Sequence, residues 1–66
     1  MKVSIIGLGK LGSSILASFA SRGFKVIGYD VNKRISELIS KRIAPFKEPH
    51  LQEFLEKYAD NIKIVS

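Results

Sequence analysis

Gly7-Leu8-Gly9-Lys10-Leu11-Gly12 follows a short apolar run, Val3 to Ile6, and opens a helical pattern that reaches about Arg22. Three glycines at this spacing, between a strand and a helix, predict a phosphate-binding turn. Gly7 lets the backbone leave the strand sharply. Gly9 has no Cβ, so a pyrophosphate can approach the main chain. Gly12 lets the helix sit close on the strand. The first amides of that helix have no partners within it, and its dipole favours an anion.

Before the turn, Met1 to Ile6 reads as a parallel strand covered on both sides, with Ser4 small enough for a buried face. After it, Leu11, Ile15 and Phe19 share one face of the helix from Lys10 to Arg22. Gly12, Leu16 and Ala20 lie beside them, suited to close approach to a sheet. Gly23 supplies the stop. Lys25 to Tyr29 is the second strand, and Asp30 follows it, 18 residues after Gly12. This is close to the separation of about 20 expected for an acid that receives a ribose.

Asn32 caps a helix from about Lys33 to Arg42 whose apolar face is Ile35, Leu38, Ile39 and Ile43. Glu37 and Lys41 form an i, i+4 pair of the favourable orientation. Pro45 breaks the pattern. Glu48-Pro49 then starts a third helix, with Leu51, Phe54, Leu55 and Tyr58 on one face. Asp60-Asn61 is a turn, and Ile62 to Val65 is a third, less buried strand. The expected fold is α/β: a partial Rossmann fold with a three-stranded parallel sheet in βαβααβ order. Such a sheet needs cover on both faces, and only these helices are present. Residues 1–66 therefore read as the N-terminal portion of a larger domain.

Composition narrows the function. The 66 residues are 45% apolar and 26% charged, which fits a globular chain and not a disordered one. A net charge of +5 raises the question of nucleic acid, but the eleven basic residues are scattered and no aromatic-and-basic stripe occurs. Nucleic acid is not an expected partner. No cysteine is present, His50 is the only histidine, and no metal set or Ser-His-Asp triad can be assembled. No apolar run approaches the roughly 18 residues of a membrane span, and no secretory signal is evident, so a cytoplasmic location is expected.

The carboxylate of Asp30 suits both hydroxyls of an adenosine ribose and would repel a 2′-phosphate, so the expected cofactor is NAD. Lys33 and Arg34 stand next to it as candidates for a further contact. Lys10 lies inside the glycine loop, but no Walker A triplet follows it. Ser13 and Ser14 either bond a phosphate or populate the first helical turn. Glu53 and Glu56 lie off the apolar stripe and read as solvated. Phe19, Phe46, Phe54 and Tyr58 read as core.

Gly7 to Gly12 followed by Val26-Ile27-Gly28-Tyr29-Asp30 is common to many NAD-linked dehydrogenases, prephenate types included. Pro45-Phe46-Lys47-Glu48-Pro49-His50-Leu51-Gln52-Glu53-Phe54-Leu55 is more specific. It resembles the Pro-x-x-Glu-Pro-x-Leu-x-x-x-Leu segment of the UDP-glucose/GDP-mannose dehydrogenase family. That family usually has glycine where His50 stands. It also has a basic residue five positions after the acid, where this chain has Ile35, with Arg34 one short.

The resemblance implies an enzyme that oxidises the C6 alcohol of a nucleotide sugar to a carboxylate. It would use two hydride transfers to NAD and a covalent route on a cysteine. It also implies that Gly7, Leu8, Gly9, Lys10, Leu11 and Gly12 hold the pyrophosphate, that Asp30 holds the ribose, and that Arg34 assists. The parent would be a homo-oligomer with a nucleotide sugar as its other partner. The cysteine would lie beyond residue 66, so the 66 residues alone are expected to be inactive. The alternatives are another NAD dehydrogenase, such as a prephenate type, or a non-catalytic nucleotide-binding module.

Overall fold

The computed structural model describes residues 2–65; Met1, expected to begin the first strand, lies outside them. Strands β1 (Lys2–Ile6), β2 (Lys25–Tyr29) and β3 (Ile62–Val65) alternate with helices α1 (Lys10–Ser21), α2 (Lys33–Ser40) and α3 (Leu51–Lys57). A 3-10 turn at Ala59–Asn61 leads into β3. The strands form one parallel sheet in the order β1-β2-β3, which is the expected βαβααβ arrangement.

Register decides which side chains meet the helices. Val3 pairs with Val26 and Ile5 with Gly28, while Val26 and Gly28 pair with Ile62 and Ile64. This alternate set packs with Leu16, Ala17 and Ala20 of α1, Ile39 of α2, and Leu51 and Leu55 of α3. All three helices therefore cover one face of the sheet. The full burial of a side chain such as Leu16 contributes about 1.5–3 kcal/mol. The other face carries Ser4, Ile6, Ile27, Tyr29, Lys63 and Val65. There Ile6 is 84% exposed, so residues 2–65 by themselves cover only one face of β1.

Helix α1 meets the sheet with the small-residue stripe suited to close approach. Ser13, Leu16, Ala17 and Ala20 are its buried residues, whereas Leu11 is 74% exposed and Ile15 is exposed. The helix presents two stripes with apolar content, and the sheet takes the one with small residues. Gly28 explains the choice. A Cβ there would meet Leu16 Cδ1 at 2.8 Å, so helix and strand are in close contact. Phe19 is half-buried at the flank, edge-to-face with Phe24.

Helix α2 is capped as expected, the Asn32 side chain accepting from the amides of Arg34 and Ile35. It ends two residues early. Arg42 takes φ 64°, its amide donates to Ile39 and that of Ile43 donates to Leu38, closing a Schellman turn. Ile43, expected on the apolar face, is consequently exposed. The third helix begins at Leu51, not at Glu48-Pro49, because His50 at φ 66° breaks helical continuity. Phe54 and Tyr58 pack against the core, while Phe46 lines a cavity of about 740 Å³ at residues 44–52. Glu37 and Lys41 are not among the ion pairs formed by the described residues.

Candidate functional site

The pairing of Ile6 with Tyr29 sets the glycine turn beside Asp30, at the carboxyl ends of β1 and β2. The Gly7 amide extends the ladder by donating to the Tyr29 carbonyl at 2.8 Å. Each glycine then has its own reason. Gly7 takes φ 95°, a region that L side chains rarely adopt. A Cβ on Gly12 would overlap the Gly7 carbonyl oxygen, so the helix can start this close to the strand only with glycine there. Gly9 has φ −65° and ψ −164°, open to any residue, and a Cβ there would meet nothing within 4 Å. Nothing in the chain itself calls for glycine at position 9. A ligand approaching that backbone would.

Gly9 is the N-cap of α1, and no side chain caps the helix. The first helical bond runs from the Ser13 amide to the Gly9 carbonyl. Among the described residues, the amides of Gly9, Lys10, Leu11 and Gly12 have no partner, which leaves a row of donors at the positive end of the helix dipole.

Asp30 is tied to this row. Its Oδ2 accepts from the Leu8 amide at 2.6 Å, and its Oδ1 accepts from the Asn32 amide at 2.7 Å. The Asn32 and Leu8 amides, in that order, hold its carboxyl below the usual carboxylate range against a small opposing effect of burial. An ionised carboxylate has about four acceptor positions, so each oxygen retains room for a ribose hydroxyl. The residues present therefore fit a dinucleotide: bare backbone at Gly9, unpaired amides for the pyrophosphate, and a charged acceptor for the ribose.

The other candidates divide. The Leu8 side chain is fully buried and fills the core below the turn, so only its backbone belongs to the site. The Lys10 ammonium lies 3.3 Å from Glu48 Oε1, joining the glycine loop to the segment before α3. Leu11 is exposed at the start of α1. Arg34 is exposed on α2, its amide held by Asn32 and its side chain in no ion pair among the described residues. Ser13 is fully buried and donates to the Leu8 carbonyl at 2.7 Å, so it is a tie of the turn. Ser14 donates to the Lys10 carbonyl.

Sequence reasoning did not single out Val31, which is 82% exposed next to Asp30. An aliphatic residue directly after the acid was the available signal. His50 stands at the α3 N-cap with its ring 3.2 Å from Glu53 and stacked on Phe54. No cluster of three potential metal ligands occurs among the described residues, and none of their helices is long and apolar enough to cross a membrane.

The similarity to known proteins agrees with this geometry. The model of the UDP-glucose/GDP-mannose dehydrogenase family, NAD binding domain, matches residues 1–65. A UDP-glucose 6-dehydrogenase of Haloferax volcanii is 41% identical over 59 residues, covering 89% of this chain and 14% of that protein. A UDP-N-acetyl-D-mannosamine dehydrogenase of Campylobacter jejuni is 48% identical over 50 residues, 76% of this chain and 12% of that protein. The crystal structure of a ternary complex of GDP-mannose dehydrogenase from Pseudomonas aeruginosa superposes with a TM-score of 0.93 at 31% identity. It covers 98% of this chain and 15% of that one. The chain thus spans about one-seventh of the length of these relatives. With its glycine turn, its acid and its match over residues 1–65, the chain belongs to the UDP-glucose/GDP-mannose dehydrogenase family and forms part of an NAD-binding domain.

Proposed function

We propose that residues 1–66 are the N-terminal portion of the Rossmann domain of a nucleotide-sugar 6-dehydrogenase, and that they bind the ADP half of NAD. The observation that carries this reading is the free backbone at Gly9, beside unpaired amides and within reach of Asp30. The pyrophosphate lies on the turn from Gly7 to Gly12, received by the amides of Gly9 to Gly12. Asp30 accepts the adenosine ribose hydroxyls, and Val31 offers apolar surface to the adenine. Arg34 is free to swing toward the ribose edge. The carboxylate of Asp30 selects against a 2′-phosphate by charge repulsion.

In the whole enzyme, the NAD held by these residues would supply a hydride acceptor for oxidation of the C6 alcohol of a nucleotide sugar. Two such oxidations with one water give the carboxylate, two NADH and the released protons. The chain supplies binding and orientation only. It has no cysteine to carry an acyl intermediate, so these residues alone are inactive. A cytoplasmic homo-oligomer is the expected setting. Isothermal titration of the intact protein with NAD and NADP tests the cofactor reading. NAD should bind more tightly, and a preference for NADP would overturn the role given to Asp30. Turnover of UDP-glucose, GDP-mannose and UDP-N-acetylmannosamine, followed at 340 nm, tests the reaction; no NADH from any nucleotide sugar would overturn it.

A further inference from the structure

We infer that Asp30 is also a positioning residue for the pyrophosphate turn: its carboxylate fixes the Leu8 peptide, and through it aims the amides that receive the phosphates. The inference rests on the NAD reading of this site. Leu8 is held at three points. Its amide donates to Asp30 Oδ2 at 2.6 Å, its carbonyl accepts from Ser13 Oγ at 2.7 Å, and its side chain is locked in the core. Immediately after it come the amides of Gly9, Lys10, Leu11 and Gly12, which have no partner among the described residues.

Glycines on both sides of Leu8 leave its backbone free to rotate unless it is held. The short charge-assisted bond from Leu8 to Asp30 supplies that restraint from 22 residues away. The other oxygen is anchored by the Asn32 amide at 2.7 Å, and the Asp30 carbonyl accepts from Ser36 Oγ at 3.2 Å. The carboxylate is therefore held by the start of α2 and bridges it to the start of α1. Ribose recognition and pyrophosphate recognition share one group.

A ligand that lacks the ribose contact separates the two roles. An NAD analogue with a 2′,3′-dideoxy adenosine ribose cannot donate to Asp30. If Asp30 only received the ribose, Asp30→Asn would not change the affinity for this analogue. The substitution replaces one carboxylate oxygen with an NH₂ that cannot accept and removes the charge, so the Leu8 amide is either unpartnered or held by a weaker neutral bond. The intact protein carrying Asp30→Asn should bind the dideoxy analogue about tenfold more weakly than wild type. Affinity within about twofold of wild type would overturn the inference.

A second readout needs neither ligand nor variant. Gly7-Leu8 is the only Gly-Leu step among residues 1–66, so intact protein labelled with ¹³C′-glycine and ¹⁵N-leucine over this segment alone reports its amide. In ligand-free wild type the Leu8 amide should exchange at least about tenfold more slowly than that of Gly9. Equal rates would overturn the inference even if Asp30→Asn failed to fold. If wild type bound neither NAD nor the analogue, the cofactor reading would fall, and the amide measurement would still decide whether Asp30 positions the turn.

Discussion

Substituting alanine at Gly9 and at Gly12 separates a glycine needed for a ligand from one needed by the fold. At Gly12 the new Cβ would overlap the Gly7 carbonyl oxygen and lie 3.0 Å from its carbon. Both atoms are backbone, so no side chain can move aside. Overpacking of this kind costs up to about 3 kcal/mol. Alanine returns about 1 kcal/mol in helix propensity. The net loss is up to about 2 kcal/mol, which lowers Tm by up to about 4–8 °C in a domain of about 150–250 residues. At Gly9 the Cβ meets nothing within 4 Å and the backbone angles suit alanine. The lower unfolded-state entropy of alanine stabilises by about 0.4–1 kcal/mol, and its weakness as an N-cap offsets that by about as much. Gly9→Ala should therefore melt within about 3 °C of wild type. NAD binding should show the reverse order. Gly9→Ala places a methyl group where the proposed site puts the pyrophosphate and should weaken NAD at least about tenfold, an effect of about 1.4 kcal/mol. Differential scanning fluorimetry and isothermal titration read the two effects separately. If Gly9→Ala bound NAD as wild type does, the ligand explanation for Gly9 would be wrong.

The remaining expectations concern charge and backbone. Asp30 has a folded pKa below its unfolded value of 3.8. Its contribution to stability is present above that unfolded value and is lost as pH falls through the folded one. Urea midpoints from pH 7 downward should show this loss, and Asp30→Asn should reduce it. Arg42 at φ 64° occupies the position after α2 that glycine fills after α1, where Gly23 has φ 91°. Arg42→Gly should stabilise by about 1 kcal/mol, raising Tm; no increase would show that the left-handed turn is not strained. His50→Gly should stabilise by a smaller amount, about 0.5 kcal/mol, because relief at φ 66° is offset by the lost stacking on Phe54. The Lys10–Glu48 pair has a lysine that is 70% exposed, so Lys10→Met should change stability by less than about 1 kcal/mol in denaturant titration.

Much of the site is legible without coordinates. The glycine turn, the acid at the end of β2 and the Asn32 cap rest on local chemistry, a few residues acting on their neighbours. Parallel pairing then follows from the short right-handed crossover. What is not legible depends on contacts between distant residues. The inward face of α1 is legible in its small residues Gly12, Leu16 and Ala20, but the exposure of Leu11 and Ile15 is not, because with Phe19 they make as good a stripe. The start of α3 is missed because Pro49 suits a first turn, and the left-handed conformation of His50 is signalled only by the glycine that the family carries there. Ser13 is as suited to phosphate as to structure by type and position, and only its burial beneath the turn decides between them.

The sequence by itself determined the order of elements, the glycine turn and the acid that accompanies it. Glycine, asparagine and proline act within a few residues, where chain geometry leaves little choice. Tertiary structure alone decided that Asp30 grips the Leu8 amide 22 residues away, that Leu8 points into the core, and that Lys10 meets Glu48. Those contacts depend on strand register and helix rotation, which are set by packing over the whole sheet. The glycine turn could be read from its spacing, whereas the group that holds it in shape became visible only once β1 and β2 were paired.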